Sequence, residues 1–139
     1  MENTNSVEKI MGKKPQSDFN LQLIPNFITF DEADKFIELI DKSDKIDSTI
    51  GVDGKITTNN TRISQTVALC DCDKMVIDLK RKVAKEMGIP FNNIEPVQAQ
   101  LYNVGGKFDL HQDGFDTNNL IKFGLASGNR VKTLMIYLN

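Results

Sequence analysis

The sequence predicts an α+β domain, and three observations lead there. Two amphipathic helical segments occupy the first half, the second half turns to strand texture, and a polar aperiodic stretch precedes both. At 139 residues the chain is long enough for one domain with a modest core.

Residues 1–20 carry Lys13-Lys14-Pro15 and Ser17-Asp18 without apolar periodicity, so they are expected to be a polar tail, with the domain over 21–139. Leu21 to Phe27 reads as a short strand or extended lead-in. Thr29-Phe30-Asp31-Glu32 then has the S/T-x-x-E form of a capping box, in which Thr29 and Glu32 each accept the other's backbone N–H. Ala33, Phe36, Ile37 and Ile40 follow at helical spacing, which predicts a helix from Phe30 to Ser43. The acidic-basic run from Asp41 to Asp47 reads as its solvated end.

Gly51-Val52-Asp53-Gly54 is turn-rich and leads to a polar stretch, Thr57 to Thr61; Arg62 to Leu69 is expected to be a strand. Asp71 or Asp73 can cap a second helix whose stripe is Val76, Leu79, Val83 and Met87, ended by Gly88 and Pro90. Pro96 opens a strand over Val97 to Val104, where Val97, Ala99 and Leu101 alternate with Gln98, Gln100 and Tyr102. Gly105-Gly106 supplies a turn or bulge, and Lys107 to Asp113 continues extended. Gly114 to Asn129 is a long polar loop, of a length that marks function or disorder. Val131 to Leu138 reads as a strong strand.

A net charge of -2, from 17 basic and 19 acidic side chains, gives no general attraction to nucleic acid or to an anionic membrane. No apolar run approaches the roughly 18 residues that span a bilayer, and no apolar leader follows the first charges. The default expectation is therefore a cytoplasmic protein without a membrane partner; oligomeric state is not legible. Cys70 and Cys72 are too close for a structural disulfide to restrict much chain, and two thiols cannot complete a zinc site, so they are expected to be ordinary thiols.

His111 is the single histidine, so a metal site of several imidazoles is excluded within this sequence. It stands in His111-Gln112-Asp113. On an extended segment residues i and i+2 point the same way, so an imidazole and a carboxylate converge. Such a pair is two thirds of the facial triad that holds non-haem Fe(II). Taken alone the motif is weak, and a half-buried histidine near a turn aspartate is the plain alternative. A calcium loop around Asp109 to Asp116 lacks the EF-hand order.

The surroundings add weight. Tyr102, Gly105, Phe108, His111 and Asp113 stand in the register Y-x-x-G-x-x-(aromatic)-x-x-H-x-D; Glu95-Pro96-Val97-Gln98 lies upstream. Downstream, Arg130 to Leu138 has the form R-x-x-T-(apolar)-(apolar)-x-Y-L, while Asn26-Phe27-Ile28 and Arg62-Ile63-Ser64 lie near the front in the forms N-F-(apolar) and R-x-S. In this order the motifs, over Ile24 to Asn139, resemble the catalytic domain of the prolyl 4-hydroxylase family of Fe(II)- and 2-oxoglutarate-dependent dioxygenases.

The resemblance implies a double-stranded β-helix (a jelly-roll, cupin-like core) with two supporting N-terminal helices. It implies His111 and Asp113 as metal ligands, Tyr102 and Thr133 beside 2-oxoglutarate, and Arg62 and Ser64 beside the substrate. The implied cofactors are Fe(II), 2-oxoglutarate and L-ascorbate, and the implied partner is a proline-containing peptide or protein. In the implied reaction O₂ is consumed as 2-oxoglutarate is decarboxylated to succinate and CO₂ and peptidyl proline is hydroxylated. The family pattern also continues to a distal histidine and a lysine, which this sequence does not hold. The expectation is thus a core incomplete at the C-terminus and a chain inactive by itself, either part of such an enzyme or a non-catalytic remnant that keeps a peptide groove.

Overall fold

The structure is a computed structural model that describes residues 20–52, 55–124 and 128–139. All of the expected tail except Asn20, and Asp53 and Gly54 of the expected turn, lie outside the described residues.

Helix α1 spans Phe30–Lys42 and begins with the expected capping box. Thr29 Oγ1 accepts the Glu32 N–H at 3.1 Å, and Glu32 Oε2 accepts the Thr29 N–H at 2.7 Å. Its Ala33, Phe36 and Ile40 are buried. Helix α2 spans Lys74–Met87, with Asp73 rather than Asp71 as its N-cap and Gly88 in the left-handed conformation at its end. Asp71 instead accepts from the buried Lys80 ammonium at 2.8 Å.

The strands are short: β1 (Ile46–Asp47), β2 (Ile50–Val52), β3 (Lys55–Thr57), β4 (Arg62–Ile63), β5 (Gln65–Ala68), β6 (Gln98–Leu101) and β7 (Lys107–Phe108). They form three antiparallel sheets, ordered β1-β5-β6, β2-β3 and β4-β7. The observed architecture is therefore α+β. Among the described residues these sheets do not close into a jelly roll.

The register pairs Val67 with Ala99 and Thr66 with Gln100, and this divides the three-stranded sheet into two unlike faces. Val67, only 1% exposed, shares the core with Phe36, Ile40, Leu69, Val76 and Leu79; Val97, Ala99 and Leu101 pack against it. The opposite face is polar. Gln100 Oε1 accepts from Thr66 Oγ1 at 3.1 Å and Ser48 Oγ at 3.3 Å, and Ser64 donates to Ser48 at 2.8 Å.

Several expectations need correction. Residues 20–24 form no strand; the lead-in bends through a turn at Pro25-Asn26, where Asn26 has φ 57°. The strand expected over Arg62 to Leu69 is interrupted at Ser64, because its two parts pair with different partners. Val131 to Leu138 is not a strand: no ladder partner meets it among the described residues, and β texture without a partner makes no sheet. It lies against the core through Ile136 and Leu138, leaves Val131, Met135 and Tyr137 exposed, and is tied to the end of α2 by Lys132, which donates to the Met87 carbonyl at 2.6 Å. Within the expected loop, Thr117–Asn119 forms a single turn, α3, running into a wider turn over Leu120–Gly124. Cys70 and Cys72 are joined in a disulfide rather than standing as separate thiols. No helix among the described residues is long and apolar enough to cross a membrane.

Candidate metal centre

Strand β7 delivers the His-x-Asp segment, and glycine makes its approach possible. Gly105 takes φ 84°, and the Gly106 N–H closes a turn on the Asn103 carbonyl at 2.7 Å. A Cβ on Gly106 would stand 2.8 Å from the Asn103 carbonyl oxygen and 3.0 Å from that of Ile63, so a side chain there would drive β7 from β4. The β4–β7 pair sets Arg62 opposite Phe108, and the Asp109 N–H extends it by donating to the Thr61 carbonyl at 2.8 Å.

Beyond Asp109 the backbone leaves the ladder and bends at Leu110 and again at Asp113. His111 and Asp113 are therefore on neither a helix nor a paired strand, yet their side chains converge: His111 Nε2 is 3.1 Å from Asp113 Oδ1. The other ring nitrogen, Nδ1, is 2.7 Å from the Asp109 carbonyl oxygen. A carbonyl only accepts, so Nδ1 carries the proton and donates to it. In the neutral ring this leaves an Nε2 lone pair facing a carboxylate oxygen. Two acceptors at that spacing need a cation between or beside them, either a proton or a metal ion.

The spacing suits a metal. Adjacent donors about 2.1 Å from an octahedral ion stand about 3 Å apart. The backbone carbonyl on the remote ring nitrogen is the usual outer partner of a metal-binding histidine. The pair thus fits two neighbouring positions of such a site. No group of three His, Cys, Asp or Glu side chains able to hold a metal ion occurs among the described residues.

Two guanidinium groups surround the pair. Arg130 makes a bidentate ion pair with Glu95, at 2.7 Å from Nε to Oε1 and 2.8 Å between the second nitrogen and Oε2. It also donates to the Asp113 carbonyl at 3.2 Å and lies 4.6 Å from the Phe115 ring centre. The Glu95 hydrogen bond, opposed by desolvation and helped by the charges of Glu95 and Asp113, raises the Arg130 pKa above its ordinary value. Asn129 completes the clamp, accepting the Phe115 N–H at 2.7 Å and donating to its carbonyl at 3.0 Å. On the other side Arg62 donates to Gln100 Oε1 at 2.6 Å and to the Thr49 carbonyl at 2.9 Å, and lies 4.7 Å from the centre of the Phe108 ring. Phe108 stacks on His111, with centroids 3.6 Å apart and planes at 16°.

The remaining sequence candidates are placed less closely. Ser64 belongs to the polar sheet face with Ser48, and Arg62 spends donors on internal partners. Tyr102 is half exposed and Thr133 exposed; among the described residues no hydrogen bond joins either to His111 or Asp113. Sequence reasoning did not single out Glu95 and Arg130 as a pair, although both stand in matched motifs. Thirty-five residues separate them, and nothing local links them.

No family model matches the chain. It is 29% identical over 119 residues to a protein named probable prolyl 4-hydroxylase 10 of Arabidopsis thaliana, covering 82% of this chain and 39% of that one. It is 30% identical over 125 residues to prolyl 4-hydroxylase subunit alpha-3 of Mus musculus, covering 86% of this chain and 22% of that one. A third relative, prolyl 4-hydroxylase subunit alpha-1 of Caenorhabditis elegans, is 27% identical over 90 residues, which is 63% of this chain and 16% of that one. The chain thus spans two fifths or less of the length of these relatives. With about 30% identity over more than four fifths of its own residues, it is a distant homologue of the prolyl 4-hydroxylases, within the Fe(II)- and 2-oxoglutarate-dependent dioxygenase family.

Proposed function

We propose that the chain carries the His-x-Asp half of a peptidyl-proline hydroxylase centre built on a jelly-roll core. One observation carries this reading: His111 Nε2 and Asp113 Oδ1 face each other at 3.1 Å, with the remote nitrogen already committed to the Asp109 carbonyl. The Asp109 carbonyl holds the proton on Nδ1 and so keeps the Nε2 lone pair available. Asp113 adds the negative charge that suits a hard divalent ion, and Arg130 steadies its backbone through the Asp113 carbonyl. Tyr102 and Thr133 serve the 2-oxoglutarate side, and Arg62 and Ser64 the side of a proline-containing peptide, as the family resemblance implies. Fe(II), kept reduced by ascorbate, would with 2-oxoglutarate and O₂ supply the hydroxylation of a substrate C–H bond, with succinate and CO₂ as co-products.

The two donors found among the described residues hold a divalent ion weakly, so the 139-residue chain by itself is expected not to turn over. That same count of donors favours a second reading, a non-catalytic fragment that retains the peptide-binding side. Succinate formation from 2-oxoglutarate, with Fe(II), ascorbate and a proline-rich peptide, separates the claims. The expected result is no peptide-dependent succinate, together with peptide binding that weakens in Arg62→Ala. Turnover abolished by His111→Ala would establish the enzyme and overturn the inactivity. Absence of peptide binding removes the substrate roles of Arg62 and Ser64.

A further inference from the structure

We infer that Arg62 is a positioning residue for His111 and acts through Phe108. His111 is exposed and sits on irregular backbone, so burial does not set its ring. Two polar contacts, Nδ1–H to the Asp109 carbonyl and Nε2 beside Asp113 Oδ1, direct the two nitrogens but leave the ring free to tilt about the line that joins them. The stack on Phe108, at 3.6 Å and 16°, removes this freedom and sets the ring plane, and with it the direction of the Nε2 lone pair.

Phe108 is itself only half-buried, at the end of a two-residue strand. What holds it in place is the residue opposite in register, Arg62, whose guanidinium lies 4.7 Å from its ring centre. Arg62 is fixed in turn by three acceptors from separate segments: Gln100 Oε1 at 2.6 Å, the Thr49 carbonyl at 2.9 Å and Ser64 Oγ at 3.4 Å. Gln100 and Ser64 both engage Ser48, which is 3% exposed. A continuous set of contacts therefore runs from a buried serine on the polar sheet face to the imidazole. The planar fork of arginine can hold these acceptors while lying against an aromatic ring, which a lysine cannot do.

The consequence for metal binding rests on the reading of His111 as a donor, but the positioning itself does not. The chain has one histidine, so its ring protons form a single pair of signals in a proton–carbon correlation spectrum of the metal-free protein. At one fixed pH for all samples, the stack is expected to shift those signals upfield. Phe108→Leu abolishes the shift and Phe108→Tyr retains it. Arg62→Ala is expected to lose most of it while the backbone amide spectrum is kept. If Arg62→Ala does not fold, Gln100→Leu, which removes the acceptor nearest the guanidinium, is expected to move the signals in the same direction, and Gln100→Glu to hold them. Ring signals that stay at their wild-type positions in the folded variants would overturn the inference. A Co(II) titration of the same samples keeps the two ideas apart: Arg62→Ala is expected to weaken binding about 10–100-fold. If the wild type binds no Co(II) but the ring signals still move, the donor reading fails and the positioning stands. Co(II) affinity unchanged in Arg62→Ala, with unmoved ring signals, defeats the positioning alone.

Discussion

The described parts of residues 30–101 and of residues 102–139 are held by different forces. The first region is a helix-and-sheet layer around Val67 and Val76, both essentially without solvent contact, and its order comes from apolar burial. In the second region only Ile136 and Leu138 are among the hydrophobics packed on that core; Tyr102, Val104, Leu110, Val131, Met135 and Tyr137 are exposed, and the site is ordered by discrete polar and stacking contacts: Arg62 on Phe108, Arg130 on Glu95, Asn129 on Phe115. Burial is tolerant in detail but expensive to lose. Pairwise contacts contribute little stability each, yet they decide where His111 and Asp113 point. The difference teaches that stability and site geometry are nearly separable in this molecule, and substitutions are expected to divide along that line.

The largest effect belongs to the buried layer. Phe36→Ala should cost about 3–5 kcal/mol in urea unfolding, enough to unfold a small domain. His111→Ala, at an exposed position, should stay within about 0.5 kcal/mol of wild type in the same measurement. Equal costs would erase the distinction between the regions.

Gly106→Ala tests their junction. Its Cβ meets two backbone carbonyls rather than a flexible side chain, so a loss of about 1–3 kcal/mol is expected. Hydrogen exchange should speed at the Asp109 amide, which β7 keeps bonded to Thr61, and not at the amides of β5.

A smaller effect, with a pH signature, comes from the capping box of α1. Thr29→Ala should cost about 1 kcal/mol. The Thr29 backbone N–H holds the Glu32 carboxyl below its usual 4.5; partial desolvation opposes this, and the Thr29 hydroxyl and Lys82 assist it. A carboxyl lowered in the folded state contributes stability that is fully present above its unfolded value. That contribution is lost as pH falls from about 5 through the lowered folded value. The slope of unfolding free energy against pH in this acid window should be shallower in Glu32→Gln than in wild type.

A small stability change is also expected at the clamp. Glu95→Gln removes the charge partner of a partly exposed Arg130 and should cost no more than about 1 kcal/mol. It should nevertheless speed solvent exchange of the Arg130 Nε proton, now bonded to Glu95, and shift the Phe115 and Asp113 amide signals. A large destabilisation with an unmoved site would reverse the comparison drawn between the two regions.

The same division explains what the sequence made legible. Both helices, their caps and the inward set of Val97, Ala99 and Leu101 follow from local rules, and the structure has them. Val131 to Leu138 has the composition of a strand, but pairing depends on a partner that composition does not name. The convergence of His111 and Asp113 was expected from strand alternation. It occurs on unpaired backbone between bends at Leu110 and Asp113, with the Asp109 carbonyl bonded to the ring. Arg62 was readable as a residue of interest, but its contact with Phe108 depends on a register between segments 46 residues apart in sequence. The Cys70–Cys72 bridge was missed because chain entropy gives little reason for so local a link.

The central claim is that His111 and Asp113 form a cation-binding pair, and Co(II) titration followed through the lone imidazole tests it most directly. The account predicts that the His111 ring signals shift or broaden paramagnetically before those of any other residue, and that Asp113→Asn weakens this response. A titration in which the His111 ring signals stay sharp and unmoved while Co(II) binds elsewhere on the chain would contradict it.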